Sequence, residues 1–397
     1  MEYTREYFDA MPNRRGSLST KWDGCNAKFG LAENEEMIPM WIADMDFYSP
    51  REVIDELTER ARFGCYGYTV KSDGFYDAIV NWVERRYGWK IEREWIVTSP
   101  GVIPGLHIAI QTLTAPGDGI IVQTPVYYPF MTGVEINGRR MVNNRLVEKD
   151  GRWTIDFDDL ERKAADPATT MMIFCNPHNP VGRAWTAEEV SRVVEICASH
   201  GVTLLSDEIH ADLIMPGHVH SAACAVRPDL KNACVTYYAP SKTFNLAGLQ
   251  TAFAVVPDDE LRAKYEHGLN VNRIFNVSWF GEAALRTAYT KCDGYVGALC
   301  DYVSGNMDLM KRFLDERLPR LKMVKPEATY MTWVDFRGSG MTVAQIEEFI
   351  VKKARIGVDM GSWFGPGGEG WLRFNLACPR ALVEKALLQL EAAFNHR

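Results

Sequence analysis

The sequence predicts an α/β protein with a mostly parallel sheet covered by helices on both faces, in two closely packed domains. Three observations carry that expectation. Short apolar runs alternate with segments of helical period from about Trp95 to Val256, the pattern of strand–helix–strand units in a parallel sheet. Polar clusters bearing glycine or proline follow those runs directly, at the strand ends where open α/β sheets bind ligands. At 397 residues the chain exceeds the size at which one hydrophobic core usually stops growing. No repeat or Ser/Gly linker interrupts it, so the second domain is expected to pack tightly on the first.

Residues 1 to 46 are irregular and run into Met40-Trp41-Ile42-Ala43-Asp44-Met45-Asp46-Phe47, an apolar cluster with two acids. From Ser49 to about Tyr87 the pattern is helical, broken by the loop Phe63-Gly64-Cys65-Tyr66-Gly67-Tyr68. That loop is either a packed turn or a ligand-facing one. Glu94 to Gly105 reads as strand, tight glycine turn and helix start, with Leu106, Ala109, Ile110 and Leu113 at helical spacing. Free amides at such a start favour a phosphate, although many α/β proteins have a similar turn.

Gly119 to Gln123 is a buried-strand candidate leading to Thr124-Pro125-Val126-Tyr127-Tyr128. Met171 to Cys175 is another, running into Asn176-Pro177-His178-Asn179-Pro180. Thr186 with Glu189 makes a capping box for a helix ending near Gly201. Val202 to Leu205 then leads to Ser206-Asp207-Glu208-Ile209-His210. Past Val256 the chain is mostly helical, with a second capping box at Thr342 and Gln345. It closes on a glycine-rich loop before Trp371-Leu372-Arg373-Phe374-Asn375.

Composition narrows the function. Apolar residues make up 47% and charged residues 24%, with a net charge of -8. No basic block accompanies that balance, which disfavours nucleic acid and anionic membrane as partners. The start lacks an apolar targeting region and no apolar run approaches membrane-spanning length, so a soluble cytoplasmic protein is expected. Nine scattered cysteines without a Cys-x-x-Cys pair indicate neither a disulfide framework nor a zinc ribbon. His210, His218 and His220 lie close together, but no acidic or thiol ligand follows at metal-site spacing, and no metal is expected.

The stretch Tyr238-Ala239-Pro240-Ser241-Lys242-Thr243-Phe244-Asn245-Leu246-Ala247-Gly248 sets one lysine between the apolar runs Ala233–Tyr237 and Thr251–Val256. A buried lysine needs a partner or a chemical use. One use is a Schiff base, in which a desolvated amine attacks a carbonyl and pyridoxal phosphate accepts electrons. A solvent-exposed lysine in a polar loop is the alternative.

The clusters Ser99-Pro-Gly, Asn176-Pro-His-Asn-Pro, Ser206-Asp-Glu, Ser241-Lys242 and Arg373-Phe-Asn, in that order, resemble the fold type I pyridoxal-phosphate enzymes over nearly the whole chain. Lys242-Thr-Phe-Asn-Leu-Ala-Gly, Met40-Trp-Ile-Ala-Asp-Met-Asp-Phe, Asp207-Glu-Ile-His-Ala-Asp-Leu and Tyr66-Gly-Tyr-Thr are similar to the cystathionine β-lyase and cystalysin subgroup, the carbon–sulfur lyases. The resemblance implies a large domain over 48–288 with a seven-stranded sheet, and a smaller α+β domain from 1–47 and 289–397. It implies pyridoxal 5'-phosphate bound to Lys242, which then serves as the base at the substrate Cα. Asp207 would pair with the ring nitrogen, Tyr127 would stack on the ring, and Asn179 and His210 would face its phenolic oxygen. The amides of Val102 and Ile103, Ser241, and Tyr68 from a second subunit would hold the phosphate, making the protein a homodimer with shared active sites. Arg373 and the Ala43 backbone would take the substrate carboxylate, with Tyr128, Trp41, Trp363 and Phe364 near the pocket.

Two departures weaken the phosphate assignments: Ala239 replaces a common serine, and Gln250 stands where aminotransferases often carry arginine. The implied reaction is β-elimination of L-cystathionine or another S-substituted cysteine to thiol, pyruvate and ammonia. An aminotransferase or a regulatory binding protein on the same fold are the alternatives.

Overall fold

A computed structural model describes residues 2–396. Its central sheet comprises β1 (Ile96–Ser99), β2 (Gly119–Val122), β3 (Arg140–Asn143), β4 (Thr169–Cys175), β5 (Thr203–Asp207), β6 (Cys234–Tyr238) and β7 (Ala252–Val255). The strand order is β1-β7-β6-β5-β4-β2-β3. β2 to β6 pair in parallel, and β7 runs antiparallel to both β6 and β1. The reversal of β7 departs from the simple alternation read in the sequence. A four-residue apolar run looks the same in either direction, and the connection from Ala239 to Thr251 is long enough for either pairing.

The register lines up the strand ends. Cys175 lies opposite Asp207, and Asp207 opposite Tyr237. Because β7 is reversed, it begins at this same edge, with Ala252 opposite Ser99. The loops after β1, β4, β5 and β6 and the loop before β7 therefore converge on one side of the sheet.

Both faces are covered. Along β4 the side chains of Met171, Ile173 and Cys175 enter one apolar cluster, shared with Leu106, Ala109 and Ile110 of the helix Val102–Leu113. Met172 and Phe174 enter the other, shared with Val190, Val193 and Val194 of the helix Ala187–Ser199. Each large aliphatic side chain so buried contributes about 1.5–3 kcal/mol, which makes the strand ends a rigid platform. Both capping boxes form, at Thr186 with Glu189 and Thr342 with Gln345. The helical pattern after Ser49 resolves into Arg51–Phe63 and Asp73–Tyr87.

Towards the C-terminus β8 (Lys322–Met323), β9 (Met331–Asp335), β10 (Asp359–Met360) and β11 (Trp371–Asn375) form a second, antiparallel sheet in the order β8-β9-β11-β10. The N-terminal segment is laced to this region. Ile38–Pro39 pairs in parallel with Ile356–Gly357, and the Asn375 amide donates to the Met40 carbonyl at 2.9 Å. Several of these strands span only two residues, too few to carry a period in the sequence.

Candidate active site

A cavity of about 210 Å³ opens where the strand-end loops converge, and Lys242, Asp207, Asn179, Tyr127 and His210 line it. Lys242 arrives there because Ala239 leaves β6 extended and Pro240 starts the short helix Pro240–Thr243. Proline at the first helical position is pre-set for that turn. Lys242 Nζ donates to the Ala43 carbonyl at 2.7 Å. Burial, reinforced by the positive charge of Arg373, pushes the Lys242 pKa down to about 8. An amine in that range supplies its neutral, nucleophilic form near neutral pH.

The Ala43 carbonyl is itself fixed, accepting also from the Tyr330 hydroxyl at 2.9 Å. Asn375 Nδ2 donates to the flanking carbonyls of Ile42 and Asp44, each at 2.6 Å. Behind this loop Lys21 and Asp46, both fully buried, pair at 2.7 Å. Arg14 bridges Asp44 and Asp46 at 2.6 and 2.8 Å.

Asp207 is the last residue of β5 and accepts from the Ile209 amide at 3.0 Å. Burial raises its carboxyl to about 7. A cationic nitrogen set against it would restore the charged form. Its neighbour Glu208 points into the protein, accepting from Ser206 Oγ at 2.8 Å and the Tyr238 hydroxyl at 2.7 Å. His220 Nε2 lies 2.8 Å from Glu208, whereas His210 faces the cavity, its pKa held well down by burial. The buried Nδ1 of His210 has no partner. Among the described residues, no group of three or more His, Cys, Asp or Glu side chains is placed to hold a metal ion.

The helix Val102–Leu113 also starts at this cavity, at Gly101 and without a side-chain cap. Val102, Ile103, Ser241, Gln250 and Thr251 line the cavity with it. Open amides at a helix start form an anion site without a formal positive charge. Gln250 takes a left-handed backbone, φ 49°.

Arg373, on the inner strand β11, is 2% exposed. It donates to Asn179 Oδ1 and the Trp41 carbonyl, each at 2.9 Å, and pairs with the buried Asp359. Its guanidinium carbon lies 4.9 Å from the Phe364 ring centroid. Because Arg373 uses Asn179 Oδ1, the amide Nδ2 of Asn179 is left to donate into the cavity. Tyr128 does not line the cavity; it is 40% exposed, with its ring 5.4 Å from that of Tyr127, which does. Tyr68 is fully exposed and does not line this cavity within its own chain.

Sequence reasoning missed Asp359, Tyr330, Thr251 and the Arg14–Lys21–Asp46 cluster. Asp359 had a signal, a lone acid within the run Ile356-Gly357-Val358-Asp359-Met360. The N-terminal cations lie in a stretch without period and had none.

With this geometry in place, comparison with known proteins defines the class. Residues 36–390 match the family model for aminotransferase class I and II, and the chain belongs to that family. It is 42% identical over 388 residues to the cystathionine beta-lyase PatB of Bacillus subtilis, covering 98% of this chain and 100% of that protein. The crystal structure of cystalysin from Treponema denticola, which contains a pyridoxal 5'-phosphate cofactor, superposes with TM-score 0.96 at 34% identity over the whole of both chains. A PLP-bound putative aminotransferase from Clostridium difficile gives TM-score 0.95 at 37% identity, covering 98% of this chain and 99% of that one.

Proposed function

We propose that this chain is a pyridoxal 5'-phosphate-dependent carbon–sulfur β-lyase of the cystathionine β-lyase type. The observation that carries the reading is the meeting, in one cavity, of a buried lysine lowered to about 8, a strand-end carboxylate raised to about 7 and an uncapped helix start. Those three features suit an aldehyde, a ring nitrogen and a phosphate on one small molecule, and the unpartnered His210 Nδ1 leaves a further polar atom for the same ligand. When bound, that cofactor supplies an electron sink for charge developing at the substrate Cα.

Arg373 holds the substrate α-carboxylate through its planar fork, and Asp359, the Trp41 carbonyl and Asn179 fix the plane of that fork. Lys242 Nζ, poised by burial, removes the proton from Cα. The sulfur then leaves from Cβ as a thiolate, and the remaining fragment hydrolyses to pyruvate and ammonia. Tyr127 and Asp207, both lining the cavity, would hold the cofactor, Tyr127 by ring contact and Asp207 as the carboxylate partner of a cationic nitrogen.

The division into residues 48–288 and the two flanking segments is supported by the pairing of Ile38–Pro39 with Ile356–Gly357. A homodimer is supported by Tyr68, which is exposed, as are Phe63 and Tyr66 of the same loop. The nine cysteines are free thiols, which fits the reducing cytoplasm. Among the described residues no helix is long and apolar enough to cross a membrane.

Incubation with L-cystathionine and no added keto acid tests the reaction. Pyruvate and free thiol are expected in equal amounts. Amino transfer to a keto acid without thiol release would instead make the protein an aminotransferase.

A further inference from the structure

On the β-lyase reading, the cavity around Lys242 would take the half of the substrate that becomes pyruvate, and the leaving-thiol half would lie outside it. The turn Gly361–Phe364 presents two neighbouring rings, and each carries a cation. Phe364 lies under Arg373. Trp363 lies under Lys28, whose Nζ is 4.1 Å from the ring centroid and 5.9 Å from that of Trp41. Trp41 joins the two places, because its carbonyl accepts from Arg373 Nη2. Phe29 closes the group, edge-on to Trp41 and stacked against Trp363.

Lys28 is exposed, and among the described residues no carboxylate lies within ion-pair distance of its Nζ. Its charge nevertheless reaches Asp359, the buried partner of Arg373. An ammonium held over two indoles, one residue removed from the substrate's carboxylate anchor, is a receptor for an anion. On the β-lyase reading Arg373 takes the α-carboxylate, which leaves Lys28 for an anion on the other half of the substrate.

We infer that Lys28 is a specificity residue that receives a carboxylate on the leaving-thiol half of the substrate. The inference rests on the β-lyase reading above and narrows it to cysteine conjugates with an acidic tail. Trp41 and Trp363 supply the apolar wall along which the tail lies.

Steady-state elimination by the holoenzyme tests this with two tails of similar length, S-(2-carboxyethyl)-L-cysteine and S-propyl-L-cysteine. The wild-type preference for the acidic tail, as a ratio of kcat/KM values, should fall about five-fold in Lys28→Ala, the upper range for an ion pair open to water. The loss should lie in KM, weaken at high salt and be reversed in Lys28→Arg. Calorimetric binding of the carbon isosteres, in which CH2 replaces sulfur and nothing can leave, should show the same change of ratio. A ratio that Lys28→Ala does not move in either measurement would overturn the inference and leave Lys28 as a general attractor of anions. If neither conjugate releases thiol from wild type but the isostere ratio still falls, the β-lyase reading fails and the anion subsite stands.

Discussion

At the scale of single residues, the site is held in an unfavourable state that its ligands relieve. Asp207 illustrates the sign. Burial raises its pKa from 3.8 to about 7, so between about pH 4 and 7 the folded, cofactor-free protein binds more protons than the unfolded chain. The stability it contributes therefore falls as pH rises through that window, and the full cost is present above it. Cofactor-free Asp207→Asn should be more stable than cofactor-free wild type at pH 8, by on the order of a few kcal/mol, with the gap closing towards pH 4. Urea unfolding at both pH values measures this, and equal stability at pH 8 would contradict it. Arg373 argues differently, because three acceptors fix its plane. Arg373→Lys keeps the charge and loses the fork, so KM should rise about ten- to a hundred-fold with a smaller change in kcat. A fall confined to kcat would place Arg373 outside substrate binding.

At the scale of elements, the lysine-bearing turn and the loop carrying Ala43 behave as one unit. Asn245 joins them: its Oδ1 accepts from the Met45 amide, and its Nδ2 donates to the Met45 and Phe47 carbonyls, each at 3.0 Å. Asn245 also has φ 59°, a backbone that asparagine and glycine tolerate better than other residues. Asn245→Gly should keep the turn and lose the clamp, raising KM at a stability cost of about 1–3 kcal/mol. Asn245→Ala should cost about 1 kcal/mol more through backbone strain. Thermal unfolding alongside kinetics separates the two, and equal stability of the variants would deny the backbone part. The motif around Lys242 was legible in the sequence because its parts lie within eleven consecutive residues. The clamp was not, since Asn245 meets Met45 across 200 positions. For the same reason the loops after β4, β5 and β6 could be placed as strand ends, whereas the four-stranded sheet, assembled from short strands far apart in the chain, could not be drawn.

At the scale of the whole molecule, two assignments depend on more than one chain or segment. Tyr68 lies on the surface and lines no part of its own cavity; its proposed place is the phosphate end of a second subunit. Lys242→Ala and Tyr68→Ala should each be weakly active alone, and co-expression should restore activity, because a mixed dimer holds one site with both residues intact. Sedimentation should give a dimer under the same conditions. Absence of complementation in a demonstrated mixed dimer would remove Tyr68 from the site. The irregular N-terminal segment, unreadable by period, stands behind the active site through Arg14, Lys21 and Asp46, since a buried ion cluster has no spacing rule that a sequence could display.

All of these roles assume that the ε-amine of Lys242 carries the cofactor. Borohydride reduction of the purified holoenzyme, followed by digestion and mass spectrometry, reads that attachment directly. A reduced pyridoxyl adduct on the peptide containing Ser241-Lys242-Thr243 is the predicted result; an adduct on a different lysine, or none in protein supplied with the cofactor, would contradict it.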